Sequence, residues 1–226
     1  MTENSTKKSK RISTFLIFTG LLMIVAALIL VCYNIWDDQR ATVSARTVLK
    51  ELLVYMPEQD DDETQADNDN KDNLPDSSED YPAYVLHPEI EMPTVKIDGR
   101  DYIGTLRIPS LDLKLPVISE WSYPALKIAP CRYKGSAYSN DLIIAAHNYN
   151  SHFGRIKYLK VGDAVNVTDI DGNVFHYVVC EVQILAPTAI EEMETSGYPL
   201  TLFTCTIGGQ SRVTVRCDFA VSQFDD

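Results

Sequence analysis

The chain has 226 residues with 32 acidic against 20 basic side chains, a formal charge of -12, which argues against a basic groove for nucleic acid. A hydrophobic content of 45% suffices for a packed core and excludes a wholly disordered chain. A mean hydropathy of only -0.11 then requires the apolar residues to be unevenly placed. The charge is uneven too. Residues 1–57 carry 7 basic and 4 acidic residues (+3), residues 58–80 carry 1 and 11 (-10), and residues 81–226 carry 12 and 17 (-5).

Ile12 to Ile35 is a run of 24 residues without a charge. At about 1.5 Å per residue it reaches roughly 36 Å as a helix, enough for a hydrocarbon core of about 30 Å. Lys7, Lys8, Lys10 and Arg11 precede it, and Asp37 and Asp38 follow. The positive-inside tendency therefore predicts a cytoplasmic N-terminus at 1–11, a single membrane anchor at 12–36, with Tyr33 and Trp36 at its outer interface, and an extracellular remainder. The rival reading is a cleaved signal peptide, whose apolar stretch would be shorter and end in a small-residue cleavage site.

Residues 37–57 are predicted to hold a short juxtamembrane helix, with Val43, Val48, Leu49, Leu52, Leu53 and Met56 at roughly helical spacing and Pro57 ending it. The next stretch, 58–80, holds one apolar residue besides its alanine and proline. That is too little to offset chain entropy, so it reads as an extended acidic stalk. Its DDDE run lacks the spacing and central glycine of an EF-hand loop.

Residues 81–226 read as an all-β domain. Apolar or alternating runs at 102–108, 113–118, 142–146, 164–170, 173–185, 200–205 and 212–220 predict seven or eight strands in a sandwich or barrel. Asp171-Gly172 marks a hairpin, Pro109 and Pro116 suit edges or turns, and 122–129 and 152–159 are the candidate short helices.

Four of the five cysteines lie in this domain, and no CxxC pair exists, so neither a zinc site nor a cofactor is expected. Cys205 ends the run TLFTC just before TIGGQS, where a strand end beside a glycine-containing loop exposes a thiol on a rigid backbone. The alternative, a half-buried strand cysteine, suits Cys180 and Cys217 better. If 206–211 closes a hairpin, Cys205 and Arg212 become the closing pair, with Cβ atoms about 5 Å apart. Arg212 could then lower the thiol's pKa or donate to a substrate carbonyl or an oxyanion, though it also fits a surface arginine. Arg216, about 13 Å further along the strand, is expected to be a solvated surface arginine. A thiol that cleaves an amide needs an acid to protonate the leaving amine. His147, directly after the apolar run DLIIAA, combines access with rigidity. His87 lies in an irregular segment, His176 within a strand, and His152 in a loop where it could be merely exposed.

These features together resemble the sortases, membrane-anchored cysteine transpeptidases of mainly Gram-positive bacteria. The features are an N-terminal anchor, an all-β outer domain, an apolar strand ending in His147, then TLFTC with Cys205 and an arginine opening the next strand, and the resemblance covers roughly residues 100–220. It implies a closed β-barrel of seven to eight strands, with His147, Cys205 and Arg212 as catalytic residues. Arg212 is preferred to Arg216 because the family's arginine begins the last strand. Many members have Gly-His where this chain has Ala146-His147, and HNYNSHFGRIKYLKVGD is similar to class B-like members.

The implied activity is cleavage of an LPXTG-like sorting-signal peptide through a thioester. The acyl group then passes to the amine of a peptidoglycan precursor or a pilin lysine. The segment 187–200 is the family's place for substrate recognition, where Glu191, Glu192 and Glu194 could meet a basic signal tail. The alternatives are a cysteine endopeptidase, in which water resolves the thioester, and a membrane-tethered β-barrel binding module without catalysis.

Overall fold

The computed structural model describes residues 3–57, 81–195 and 197–220. The acidic segment 58–80, expected to be a stalk, lies outside the described residues. The chain divides into two compact units, Met1–Arg40 and Ala41–Asp226, and helix α1 (Glu3–Tyr55) contributes to both. In the first unit the helix is long and apolar enough to cross a membrane, and none of that apolar stretch is buried.

The second unit is mostly sheet. Its strands are β1 (Val95–Ile97), β2 (Arg100–Ile108), β3 (Leu113–Ile118), β4 (Cys131–Lys134), β5 (Leu142–Ala145), β6 (Ala164–Asp169), β7 (Val174–Leu185), β8 (Leu200–Cys205) and β9 (Arg212–Phe219). They form one sheet in the order β1-β2-β3-β4-β5-β8-β9-β7-β6, and β2 also pairs with β6. That last pairing, Gly104↔Asp169 to Arg107↔Asn166, closes eight strands into a barrel and leaves β1 outside. The closure needs a glycine at 104, where φ is 142° and a Cβ would overlap the Thr168 carbonyl oxygen. All seven predicted runs are strands. The two unpredicted ones, β1 and β4, are three and four residues long and carry charges.

Alternate residues of the strands fill the barrel, among them Leu106, Ile144, Val167, Leu202 and Val215, each nearly inaccessible to solvent. At the β6–β7 turn the buried Asp169 carboxylate accepts from the Tyr138 hydroxyl at 2.6 Å, the Asn173 amide N–H at 2.9 Å and the Asn173 side chain at 2.8 Å. A buried charge so satisfied pins the hairpin to the segment before β5. Pro116 lies inside β3, where the β4 side is unpaired because those strands meet only at Ile118↔Cys131.

A second core forms outside the barrel, where the end of α1 meets Ile97, Tyr102, Ile118 and Ile170. The buried helix stripe is Ala41, Ala45, Val48, Leu52 and Met56. This corrects the expected face: Val43 and Leu53 are exposed, and Ala41 and Ala45 lie instead in the helical stripe with Val48, Leu52 and Met56. The predicted short helices are α3 (Tyr123–Leu126), with Ser122 Oγ accepting from the Ala125 amide, and a single 3-10 turn at Ile156–Tyr158. A second 3-10 turn, Pro109–Leu111, joins β2 to β3, and two further short helices, α2 (Ala83–Leu86) and α4 (Ile190–Glu194), complete the described elements.

The packing at Leu52 gives a direct test. Leu52→Ala should cost about 2–5 kcal/mol of unfolding free energy, while Val43→Ala should stay within about 0.5 kcal/mol of the parent chain, as read by denaturant titration. Equal effects at the two positions would contradict the packed stripe.

Candidate functional site

β5 and β8 run parallel, in the register Leu142↔Leu200, Ile143↔Thr201, Ile144↔Leu202 and Ala145↔Phe203. The pairing continues past the end of β5, since the Ala146 amide donates to Phe203 O at 3.1 Å and Thr204 Oγ1 donates to Ala146 O at 2.8 Å. The next residue on each chain is His147 and Cys205, which this register therefore brings side by side. Both continue the parity of Ile143, Ala145 and Phe203, the outer face of the barrel. Cys205 is exposed and His147 half-buried.

His147 stacks on Tyr149 with ring centroids 4.1 Å apart and planes 4° apart. Tyr149 is itself held, because its carbonyl accepts from the amides of His152 at 3.0 Å and Gly154 at 2.8 Å, while the Phe153 amide donates to His147 O at 3.3 Å. Gly154 approaches so closely that a Cβ would lie 2.8 Å from Tyr149 O. His152 is fully buried, not exposed as its loop position suggested, and its ring meets Tyr149 at 5.4 Å and 63°. The other histidines stand apart from this cluster. His87 is exposed beside Glu89 at 3.2 Å, and His176 on β7 contacts Asn166 Oδ1 at 3.1 Å.

The loop from β8 to β9 is the tight closure the sequence suggested, with Gly208 and Gly209 at φ 84° and 71°. Thr206 N donates to Ser211 O at 2.9 Å, and the two side-chain hydroxyls lie 3.0 Å apart. Cys205 and Arg212 are register partners. Arg212 Nη1 donates to Gly209 O and Ser211 O, each at 3.1 Å, so the guanidinium is fixed by its own loop. Among the described residues its Nε and Nη2 make no hydrogen bond.

Two of the remaining cysteines of the domain are enclosed. Cys131 and Cys217 are fully buried, and burial pushes the Cys131 thiol up to about 12 and raises that of Cys217 too. Cys180 is half-buried, and its thiol donates to Val178 O at 3.6 Å. All are free thiols. No group of three or more metal-ligating side chains occurs among the described residues.

Arg216 corrects an expectation. It is 1% exposed rather than solvated. Nη1 donates to Met193 O and Thr201 Oγ1, and Nη2 to Glu192 O, each at 2.9 Å. Burial lowers its pKa from the usual guanidinium value. Its parity with Arg212 was readable, but its burial depends on α4, which the sequence analysis did not predict. Met193 of α4 packs with Ile143, Ala145, Leu185 and Phe203 in an apolar patch on the outer face, flanked by Tyr133. Glu194, one of three carboxylates that could meet a basic peptide tail, is ion-paired to Lys134 at 2.6 Å, and this ammonium holds its carboxyl below the usual value.

Comparison with known proteins bears on what this arrangement is. A family model described as "Sortase domain" matches residues 106–220. The chain is 29% identical over 121 residues to Sortase A of Bacillus anthracis, an alignment covering 51% of this chain and 57% of that protein, so it spans little more than half of this relative. Among solved structures, sortase C from Clostridium perfringens SM101 has a TM-score of 0.46 at 25% identity, covering 54% of this chain and 71% of the other. Sortase C of Streptococcus pneumoniae has a TM-score of 0.47 at 21% identity, covering 56% and 72%. With the family model matched over half of the sequence, across the strands that carry His147, Cys205 and Arg212, the chain belongs to the sortase family.

Proposed function

We propose that the chain is a membrane-anchored cysteine transpeptidase acting on an LPXTG-like sorting-signal peptide. The observation that carries this reading is the shared register of three strand ends: an exposed thiol with an imidazole beside it on the parallel strand and a guanidinium opposite it on the antiparallel one. Family membership supports the same class of reaction.

The thiolate of Cys205 attacks the carbonyl carbon of the signal's threonine, forming a C–S bond and an oxyanion to which Arg212 Nε and Nη2 donate. Collapse of the oxyanion breaks the C–N bond, and protonated His147 gives its proton to the departing glycine amine. An amine of a peptidoglycan precursor or a pilin lysine then attacks the thioester, loses a proton to His147 and expels the thiolate. The stacked Tyr149 keeps the imidazole in one plane throughout. The buried cluster of Ile143, Ala145, Phe203 and Met193 packs α4 behind the Cys205 strand. In this reading residues 1–11 lie in the cytoplasm, 12–36 span the membrane, 37–57 lead away from it, and 58–80 form the stalk of an extracellular catalytic domain. The uncharged run after a basic N-terminus supports that orientation.

The reading is tested with an LPXTG peptide and a short glycine peptide as acceptor. The parent chain should form a covalent adduct at Cys205 and a ligated product, both read by mass spectrometry, and Cys205→Ala should form neither. Transfer that persists in Cys205→Ala contradicts the mechanism. Product without acceptor incorporated identifies a hydrolytic peptidase instead, and no adduct in the parent chain favours a binding module.

Arg212 gives a second prediction. Arg212→Lys keeps the charge but not the fork of donors, so turnover should fall about 10²- to 10³-fold while alkylation of Cys205 by iodoacetamide stays close to the parent rate. An unchanged turnover would remove Arg212 from the oxyanion role.

A further inference from the structure

α4 has five residues, and a helix of that length has no stability of its own in water. Something outside it must fix its position. Two carbonyls of its last turn, at Glu192 and Met193, accept from the guanidinium of Arg216, a residue 1% exposed, which also donates to Thr201 Oγ1 on β8. One side chain of β9 therefore ties the helix to the strand that ends in Cys205. A cation at a helix C-terminus is favoured by the helix dipole, and three bonds from a charged donor are strong ones. Two weaker attachments assist: Met193 packs against Ile143 and Phe203, and Glu194 pairs with Lys134 across to β4.

We infer that Arg216 is a positioning residue that clamps α4 against β8 and thereby sets the affinity for the peptide without taking part in the chemistry. The inference rests on the proposed function in one respect only, that the peptide lies along β8 beside α4. Arg216 and Arg212 share a face of β9 but differ in task, the first spanning α4 and β8 with both terminal nitrogens and the second bracing Nη1 on its own loop while leaving Nε and Nη2 for the substrate.

Two readouts on the full chain test this. The amides of Met193 and Thr195, which donate to Ala189 O and Glu191 O inside α4, report on the clamp by hydrogen exchange. In Arg216→Met, which fills the space without the charge, both should exchange at least about tenfold faster while β8 amides keep their protection. With an LPXTG peptide the same variant should raise the half-saturation concentration about tenfold and leave turnover at saturation within about twofold. Arg216→Lys, which keeps the charge with fewer fixed donors, should fall between parent and Arg216→Met.

Unchanged exchange at Met193 and Thr195 in Arg216→Met overturns the clamp. A fall in turnover with unchanged half-saturation overturns its role in affinity and moves Arg216 into the chemistry. Should Arg216→Met not fold, the parent and Arg216→Lys decide. Parent amides as fast as those of an unstructured peptide, or a lysine variant identical to the parent in both readouts, overturn the inference. A parent chain that does not process the peptide overturns the proposed function, while the exchange experiment still decides the clamp.

Discussion

The parallel pairing of β5 with β8 is the constraint on which the site depends. Parallel neighbours cannot be joined by a hairpin, so the chain between them must leave the barrel wall and return. It does so through β6, β7 and α4, and β8 then enters beside β5 with both strands pointing the same way. The two strands consequently end at one rim, and the residues just beyond the shared register are His147 and Cys205. The bond from Thr204 Oγ1 to Ala146 O fixes that rim where the ladder itself has ended. Reactive groups at the ends of rigid strands combine access with fixed geometry, a combination neither a mobile loop nor a strand interior offers.

Burial then sorts groups of identical chemistry into different tasks. Of the domain's thiols, Cys131 and Cys217 are walled into the cores, where the ionised form is disfavoured, and Cys205 stands exposed on the outer face. The arginines of β9 divide in the same way. Arg212 opens the strand and is braced by its loop's carbonyls, whereas Arg216, one turn of pleat pairs further in, lies under α4 and spends its donors on backbone. Tyr149 and His152 form a packed layer behind His147, so the imidazole's orientation is built into the protein's packing.

Much of this was legible in the sequence. The seven apolar runs are strands because period-two alternation records which side chains enter the barrel. TLFTC followed by a glycine-bearing loop and an arginine implied the Cys205–Arg212 pairing correctly, since strand parity and loop length alone fix that register. The misses share a physical cause, which is that tertiary contacts decided what local pattern could not. β4, with the sequence CRYK, carries two cations on a short strand, and α4 is a five-residue acidic segment stabilised from outside. Arg216 and His152 have no local mark of burial; each is enclosed by segments distant from it or folded back upon it. At the end of α1, Ala41 and Ala45 are buried and the larger Val43 and Leu53 are exposed, because the helical period places the alanines on the stripe of Val48, Leu52 and Met56.

If the strand ends form a single catalytic unit, the losses from removing its members should not multiply. His147→Ala, Arg212→Ala and the double variant should be compared for turnover of an LPXTG peptide, with unfolding midpoints measured in parallel. The account predicts a double variant scarcely worse than the more damaged single one, because residues that act together show strongly non-additive effects. Losses in the double variant equal to the product of the two single losses would mean that the imidazole and the guanidinium act independently, which contradicts a site assembled by the shared register of β5, β8 and β9.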